Sequence, residues 1–490
     1  MRLGKVICIG NTPNCEKFYF VAENPIKRGM LVEVKTGEGK LVGRVYNVIK
    51  TNRYFMNAEV VKNFGEEAFF KFPLDRWEYL IAEVNCLGLV KDGEKVRVVT
   101  PPSPGEEVFE ASPSLIKDFF GFSDDGLKIG SVFLHNVEVR LNLSKLFQKH
   151  LAILAVSGAG KSYLASTLIE ELLKRDISPA IIVIDPHGEY KSFKLSKEFS
   201  EKTKIFGREQ IKIDTSKLSA LNFSEFLPQM SIVQRRDLER VIEKLKEVKK
   251  NYGIEELMQA IELSDINSKT KFALLSWLST LASTKLFSNF DSPSFEDLAS
   301  PNQLSVIDLS DFIKLREKQI IVTYIARKLF EARRSNKIPP VIMFIEEAHQ
   351  FVPQIREREF AISREIIETI AREGRKFNFS LVLISQRPIR LSTTALSQCN
   401  TFIVLRIVNP YDIRHICESC EAMTSEIASM LPGLRVGEAF IIGEAVNYPV
   451  LIKVRKRISK EIEDFGRFEK CLMEFVNEKN RVKEDLEAFK

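Results

Sequence analysis

The sequence predicts an α/β protein: a mostly parallel sheet flanked by helices, preceded by a small β-barrel and interrupted by a helical bundle. Three observations carry this. From about residue 150, short apolar runs alternate with amphipathic helical stretches. Leu151–Ala155, Ala180–Ile184, Ser305–Leu309, Val341–Ile345, Ser380–Ile384 and Phe402–Leu405 are apolar nearly throughout. Strands of that kind are buried on both faces, which a parallel sheet covered by helices requires. Before residue 100 the pattern is one of brief β-branched or aromatic runs divided by turn residues. Between about 228 and 290, apolar residues recur at three and four, the period of a helix face.

Taken in order, Lys5–Ile9, Lys17–Val21, Leu31–Lys35, Val42–Ile49 and Val96–Val99 read as strands. Gly10-Asn11-Thr12-Pro13, Asn24-Pro25 and Gly37-Glu38-Gly39 are turns between them. Their spacing suits a small antiparallel barrel over 1–105, closed off by the Pro-rich stretch Thr100–Gly105. Residues 106–149 form an irregular bridge with a strand pair around Ser131–Leu141. The α/β core then spans 150–458, with the helical insertion at about 228–290, and 459–490 is a charged helical stretch.

At roughly 150 residues per domain, 490 residues make two to four domains. A composition of 44% hydrophobic and 28% charged residues excludes a disordered chain or a collagen. Seven cysteines are too few for a disulfide scaffold, and their odd number suits a reducing compartment. The apolar runs fall far short of the ~20 residues of a membrane helix, and the N-terminus has no apolar core of signal-peptide length. A soluble, cytoplasmic protein with no membrane partner is expected. The formal charge of +6 permits local nucleic-acid contacts without arguing for them.

The chemistry-bearing residues cluster where strands end. Ala155-Val156-Ser157-Gly158-Ala159-Gly160-Lys161-Ser162 follows the strand Leu151–Leu154 and opens a helix at Tyr163, the setting of a phosphate-binding loop. Ser157, Gly158, Ala159 and Gly160 let backbone amides turn toward a phosphate at a helix N-terminus. Lys161 reaches the β- and γ-phosphates of ATP, the Ser162 hydroxyl ligates Mg²⁺, and Tyr163 lies beside the bound nucleotide. The run Val341–Ile345 ends in Glu346-Glu347. Here Glu346 serves the metal and Glu347 the attacking water. Gln386, after Ser380–Ile384, is placed to sense the γ-phosphate. Asp185, after Ala180–Ile184, supports the metal's water shell or caps a turn. Arg372 and Arg375 in Ala371-Arg372-Glu373-Gly374-Arg375-Lys376 are arginine-finger candidates, against the plainer reading of cations on a helix C-terminus.

Other patterns carry less. Cys417-Glu418-Ser419-Cys420 lacks the second pair of a zinc site. The cations of the insertion, among them Arg235, Arg236, Arg240 and Lys244, interleave with acids, as a solvated face does. Arg387 and Arg390 are weaker candidates for DNA-phosphate contacts.

The ordered set of motifs resembles the HerA family of the HerA–FtsK group. It comprises a barrel, His150 before the phosphate-loop strand, Asp185-Pro186-His187-Gly188-Glu189-Tyr190, a helical insertion and Glu346-Glu347-Ala348-His349. Gly374-Arg375-Lys376, Ser385-Gln386-Arg387-Pro388, Leu405-Arg406, Asn409-Pro410 and Pro432-Gly433-Leu434 follow. That resemblance implies a RecA-like ATPase core carrying a HAS-type barrel. It also implies a homo-hexameric ring with double-stranded DNA in its pore, and a NurA-type nuclease partner in DNA end resection. The finger would come in trans from Arg372, Arg375 or Arg406. The family's usual Asp-Glu is Glu346-Glu347 here, and its usual Gly is Ala155; neither change removes an essential group. A rotary or protein-exporting ATPase, which shares barrel and core, is the competing reading. A regulatory nucleotide binder has no use for the water-activating carboxylate.

Overall fold

In the computed structural model, residues 1–52, 62, 78–354, 361–459, 469 and 471–477 are described. Most of the charged stretch expected at 459–490 lies outside them, though 471–477 are helical. The first seven strands are β1 (Arg2–Ile7), β2 (Lys17–Ala22), β3 (Leu31–Thr36), β4 (Gly39–Asn52), β5 (Glu78–Lys91), β6 (Glu94–Val96) and β7 (Glu107–Glu110). Their order is β2-β1-β7-β3-β4-β5, and β2 pairs back onto β5, so six strands close into a barrel with β6 attached outside. Phe18, Phe20, Val32 and Val84 fill the interior at 0% exposure. Closure needs a strand that bends, and β4 shifts register against β5 at Val42/Gly43 and again at Val45/Asn47. A Cβ on Gly43 would stand 2.4 Å from Val84 Cγ1, so this bend admits no side chain. The closing strand β7 pairs with both β1 and β3 and lies beyond the Pro-rich stretch.

The second sheet is built from β8 (Leu127–Val132), β9 (Glu138–Leu141), β10 (His150–Leu154), β11 (Ala180–Asp185) and β12 (Thr203–Phe206). A separate two-residue pair, β13 (Ile213–Asp214) and β14 (Phe287–Ser288), comes next in the chain. β15 (Leu304–Asp308), β16 (Val341–Ile345), β17 (Phe379–Ser385), β18 (Cys399–Val404), β19 (Glu438–Gly443) and β20 (Val450–Val454) complete the second sheet. The order is β12-β15-β11-β16-β17-β10-β18-β19-β20-β8-β9. From β12 to β18 every pairing is parallel, and from β18 to β9 every pairing is antiparallel. Alternate residues of the parallel strands enter two separate apolar cores. Ile182, Met343 and Leu383 face one; Ile181, Phe344 and Val382 face the other. Each such residue contributes about 1.5–3 kcal/mol by leaving water. The strand pair of the expected bridge, β8–β9, is the antiparallel edge of this sheet.

The helices used below are α1 (Lys161–Lys174), α2 (Ile232–Val248), α3 (Ile254–Leu263), α4 (Ser268–Ala282), α5 (Leu315–Arg334) and α6 (Arg364–Glu373). The predicted insertion is α2–α4, and the β13–β14 pair ties its two ends together. Its first long helix starts where a capping box forms: Ser231 N–H donates to Gln234 Oε1 at 2.8 Å, and Gln234 N–H donates to Ser231 Oγ at 3.3 Å. Leu238, Leu257 and Leu278 bury the shared face. Arg240 and Lys244 are exposed, and Arg240 pairs with Asp237 at 3.8 Å, as on a solvated face. The barrel is joined to the core by Arg44, whose guanidinium meets Glu426 at 2.5 Å. Among the described residues no helix is long and apolar enough to cross a membrane. All seven cysteines are free.

Candidate active site

The carboxyl ends of β11, β16, β17, β10 and β18 lie side by side, the place where open α/β sheets bind ligands. After β10 the chain turns through Gly158 (φ 74°) and Gly160 (φ 101°), both in the left-handed region that favours glycine. A Cβ on Gly158 would meet nothing within 4 Å, so its demand is conformational rather than steric. The loop is pinned on both sides. Val156 N–H donates to Arg406 O at 2.9 Å, and Ala155 N–H donates to Ser385 O at 3.3 Å. Ala155 is fully buried as the strand ends, which is why Ala serves there. Lys161 is 8% exposed, and its ammonium has one long contact, 3.5 Å to Val156 O. A buried ammonium so poorly satisfied fits an anion-binding place.

Glu346 and Glu347 follow β16, next to this loop. Both are buried, at 3% and 6% exposure. Burial pushes the Glu346 carboxyl up to about 8, while the Tyr190 hydrogen bond and the Lys161 charge oppose it. Burial also raises Glu347, against the charges of Lys161, His187 and Arg387. Glu347 stands at φ 49°, ψ 44°, a left-handed conformation that costs a non-glycine residue about 1 kcal/mol. Its Oε2 is buried without a hydrogen bond. His349 Nδ1 is 3.2 Å away but also 3.2 Å from Ser385 Oγ. Burial lowers His349 to about 4, so the ring is neutral at pH 7 and forms no ion pair. Backbone strain and an unpartnered carboxylate oxygen coincide at one residue, as at sites that await a ligand.

Among the described residues no group of three or more His, Cys, Asp or Glu side chains is arranged to hold a metal. Mg²⁺ that arrives with phosphates needs only one or two protein oxygens. Glu346 and the partly buried Ser162 hydroxyl, beside the phosphate loop, fit that modest requirement.

Asp185, expected either to support the metal's water shell or to cap a turn, anchors the turn that follows β11. Its Oδ1 accepts from the N–H groups of His187 (3.2 Å), Gly188 (2.8 Å) and Glu189 (3.2 Å), and its Oδ2 from Tyr190 N–H (2.9 Å). With four donors converging on a fully buried carboxylate, its lone pairs are committed. Tyr163 also holds structure together. Its hydroxyl accepts from Arg457 N–H at 2.8 Å, and the Arg457 guanidinium lies 5.9 Å from its ring centre. It therefore fastens the segment after β20 to α1. Gln386 is half-buried at the tip of β17, between the phosphate-loop strand and the acidic strand.

Arg372 and Arg375 are exposed at the C-terminal end of α6, where the chain turns into β17. That is the opposite edge of the sheet from the strand tips. A seven-residue strand spans roughly 23 Å, beyond the reach of a guanidinium. Arg406 does not share that edge; its carbonyl accepts from Val156 N–H, which places its backbone beside the phosphate loop. The edge that carries Arg372 and Arg375 is rigid. His150 Nδ1 accepts from Leu381 N–H at 2.9 Å, and Nε2–H donates to Ala371 O at 2.8 Å. Burial holds this ring neutral, lowered to about 4. A Cβ on Gly374 would stand 2.4 Å from Phe379 O, so only glycine lets α6 meet β17 so closely.

Comparison with known proteins adds to this geometry. Residues 127–329 match the family model described as helicase HerA, central domain. The chain is 29% identical to the DNA double-strand break repair helicase HerA of Pyrococcus furiosus, over 87% of each chain. The chain is thus similar to HerA helicases over most of its length. A probable helicase of Methanocaldococcus jannaschii is 28% identical over 98% of this chain and 96% of its own. Among solved structures, VirB4 of Thermoanaerobacter pseudethanolicus covers 69% of this chain and 98% of itself, with a TM-score of 0.56 at 16% identity. That likeness is one of fold, a P-loop core of RecA-like type.

Two site contacts of this chain escape sequence reasoning. Tyr190 donates to Glu346 across 156 positions of sequence. His150 reads only as the residue before a strand, yet it links α6, β10 and β17. Neither contact leaves a spacing signal; the polar partner of a buried tyrosine or histidine is fixed by packing alone.

Proposed function

We propose that this chain is an ATP-hydrolysing DNA translocase or helicase that moves along double-stranded DNA, in rings of six, with ATP sites between subunits. A NurA-type nuclease is its proposed partner in DNA end resection during double-strand break repair. The single observation that carries the ATPase reading is the pairing, on one strand-tip edge, of a nearly unsatisfied buried Lys161 with the unpartnered Glu347 Oε2. DNA as substrate is supported by the likeness, over most of their length, to DNA double-strand break repair helicases HerA.

The proposed roles follow from position. Backbone amides of Ser157–Gly160 and the N-terminus of α1 bind phosphate oxygens. Lys161 holds the β- and γ-phosphates. Ser162 and Glu346 would hold Mg²⁺, which when bound neutralises charge on the transferring phosphoryl group. Glu347 orients the attacking water and accepts its proton. Gln386 contacts the γ-phosphate or the water, and so reports hydrolysis along β17. Arg372 or Arg375 is offered to the site of a neighbouring copy.

Removing the ammonium in Lys161→Ala should weaken ATP binding by about a hundredfold, the worth of a charge-assisted hydrogen bond of 2–3 kcal/mol. Titration with a fluorescent ATP analogue measures it; unchanged affinity would move the nucleotide elsewhere.

The activity is tested by steady-state ATPase with and without linear duplex DNA across a salt series. Stimulation should fade as salt rises, because contacts to the phosphate backbone release counterions. Turnover indifferent to DNA at every salt concentration would favour the protein-exporting or rotary alternative.

A further inference from the structure

We propose that Tyr190, held by Asp185, is the positioning residue that fixes the metal-side carboxylate Glu346. The inference rests on the ATP-site reading and adds a residue to it. Tyr190 is 0% exposed and its hydroxyl donates to Glu346 Oε1 at 2.5 Å. A buried tyrosine hydroxyl needs a partner, and a backbone carbonyl satisfies it as well as a carboxylate does. Here the partner is one oxygen of the residue at the end of β16, on which the site depends.

The restraint answers a specific need. Glu346 stands where an aspartate would serve with one torsion fewer, and each extra rotor adds side-chain freedom that metal binding must remove. A fixed Oε1 leaves Oε2 as the oxygen for the cation and sets its direction. The tyrosine is itself immobilised from two sides. Its N–H donates to Asp185 Oδ2 at 2.9 Å, within the turn that Asp185 gathers. Its ring stacks on Phe193 with centroids 6.4 Å apart and planes 12° apart. Thus the carboxylate at the tip of β11 acts on the carboxylate at the tip of β16 through one rigid side chain. Asp185 serves the metal without touching it.

The test is binding of a non-hydrolysable fluorescent ATP analogue to the full-length chain as a function of Mg²⁺. Tyr190→Phe keeps the ring and its stacking and removes the hydroxyl. It should raise the half-saturating Mg²⁺ concentration about tenfold, the usual effect of losing a partner to a metal ligand. Affinity for the analogue in EDTA should stay within about twofold of wild type. Phe193→Leu is the packing control: it disturbs the ring but keeps the hydroxyl, and should lower the melting temperature with little change in the Mg²⁺ midpoint. A Tyr190→Phe midpoint equal to wild type overturns the positioning role. So does an equal midpoint shift in both variants, because packing alone then accounts for it. Failure of wild type to bind the analogue with or without Mg²⁺ overturns the ATP site itself, a result distinct from either.

Discussion

Glu347→Gln should bind ATP as tightly as wild type and hydrolyse it about a thousandfold more slowly, within the usual contribution of a general base. The change is isosteric, so the left-handed turn at φ 49° and the packing around it persist. What goes is the ability to take a proton. Several features suit Glu347 to that task. Burial raises its carboxyl above an ordinary glutamate, which makes the carboxylate a stronger base, while the Lys161 charge opposes that rise. Its Oε2 has no hydrogen bond that water would have to displace. The neutral His349 beside it supplies a dipole and no charge that would quench its basicity. Single-turnover hydrolysis of labelled ATP, read beside nucleotide retained after gel filtration, distinguishes trapping from failed binding. Hydrolysis at the wild-type rate would remove Glu347 from the role and leave Glu346 to carry both.

The parts of this site that the sequence announces are those whose chemistry is local. Gly158, Gly160, Lys161 and Ser162 sit within one turn of chain, where backbone conformation and ligand geometry together dictate residue type. The two glutamates follow an apolar run, and strand tips are where such a sheet opens. Asp185 shows the limit of that logic. A carboxylate at a strand tip suits a metal or a turn equally, and the convergence of four backbone N–H groups that serves the turn leaves no mark in the sequence. Tyr190 is invisible because its partner lies on another strand. The fold divides the same way. The parallel strands inside the edge strand β12 are apolar on both faces and declare themselves. β5 does not, because Leu87-Gly88-Leu89-Val90 breaks the alternation that Ala82, Glu83, Val84 and Asn85 begin. β7 is missed because only Val108 of its four residues is fully buried, and a Pro-rich stretch before it reads as an ending.

The arginines give the test of assembly. Of Arg372→Ala and Arg375→Ala, one should keep ATP affinity within about twofold and lose about a thousandfold in turnover, the lower end of what an arginine finger contributes. Both side chains are exposed at the edge opposite their own strand tips, so neither stabilises charge at its own site. The His150–Ala371–Leu381 hydrogen bonds and the close contact at Gly374 hold that edge stiff, as a residue offered to a partner requires. If the finger acts in trans, each defect belongs to a different member of an interface. Mixing the inactive arginine variant with inactive Glu347→Gln then regenerates whole sites wherever an arginine-variant chain meets its neighbour's intact arginine. With equal amounts, about a quarter of interfaces are intact, and turnover should return in that proportion when sites fire independently. An arginine acting within its own chain gives no recovery at any ratio. That outcome would end the shared-site reading and bring Arg406, already beside its own phosphate loop, forward as the charge at the site.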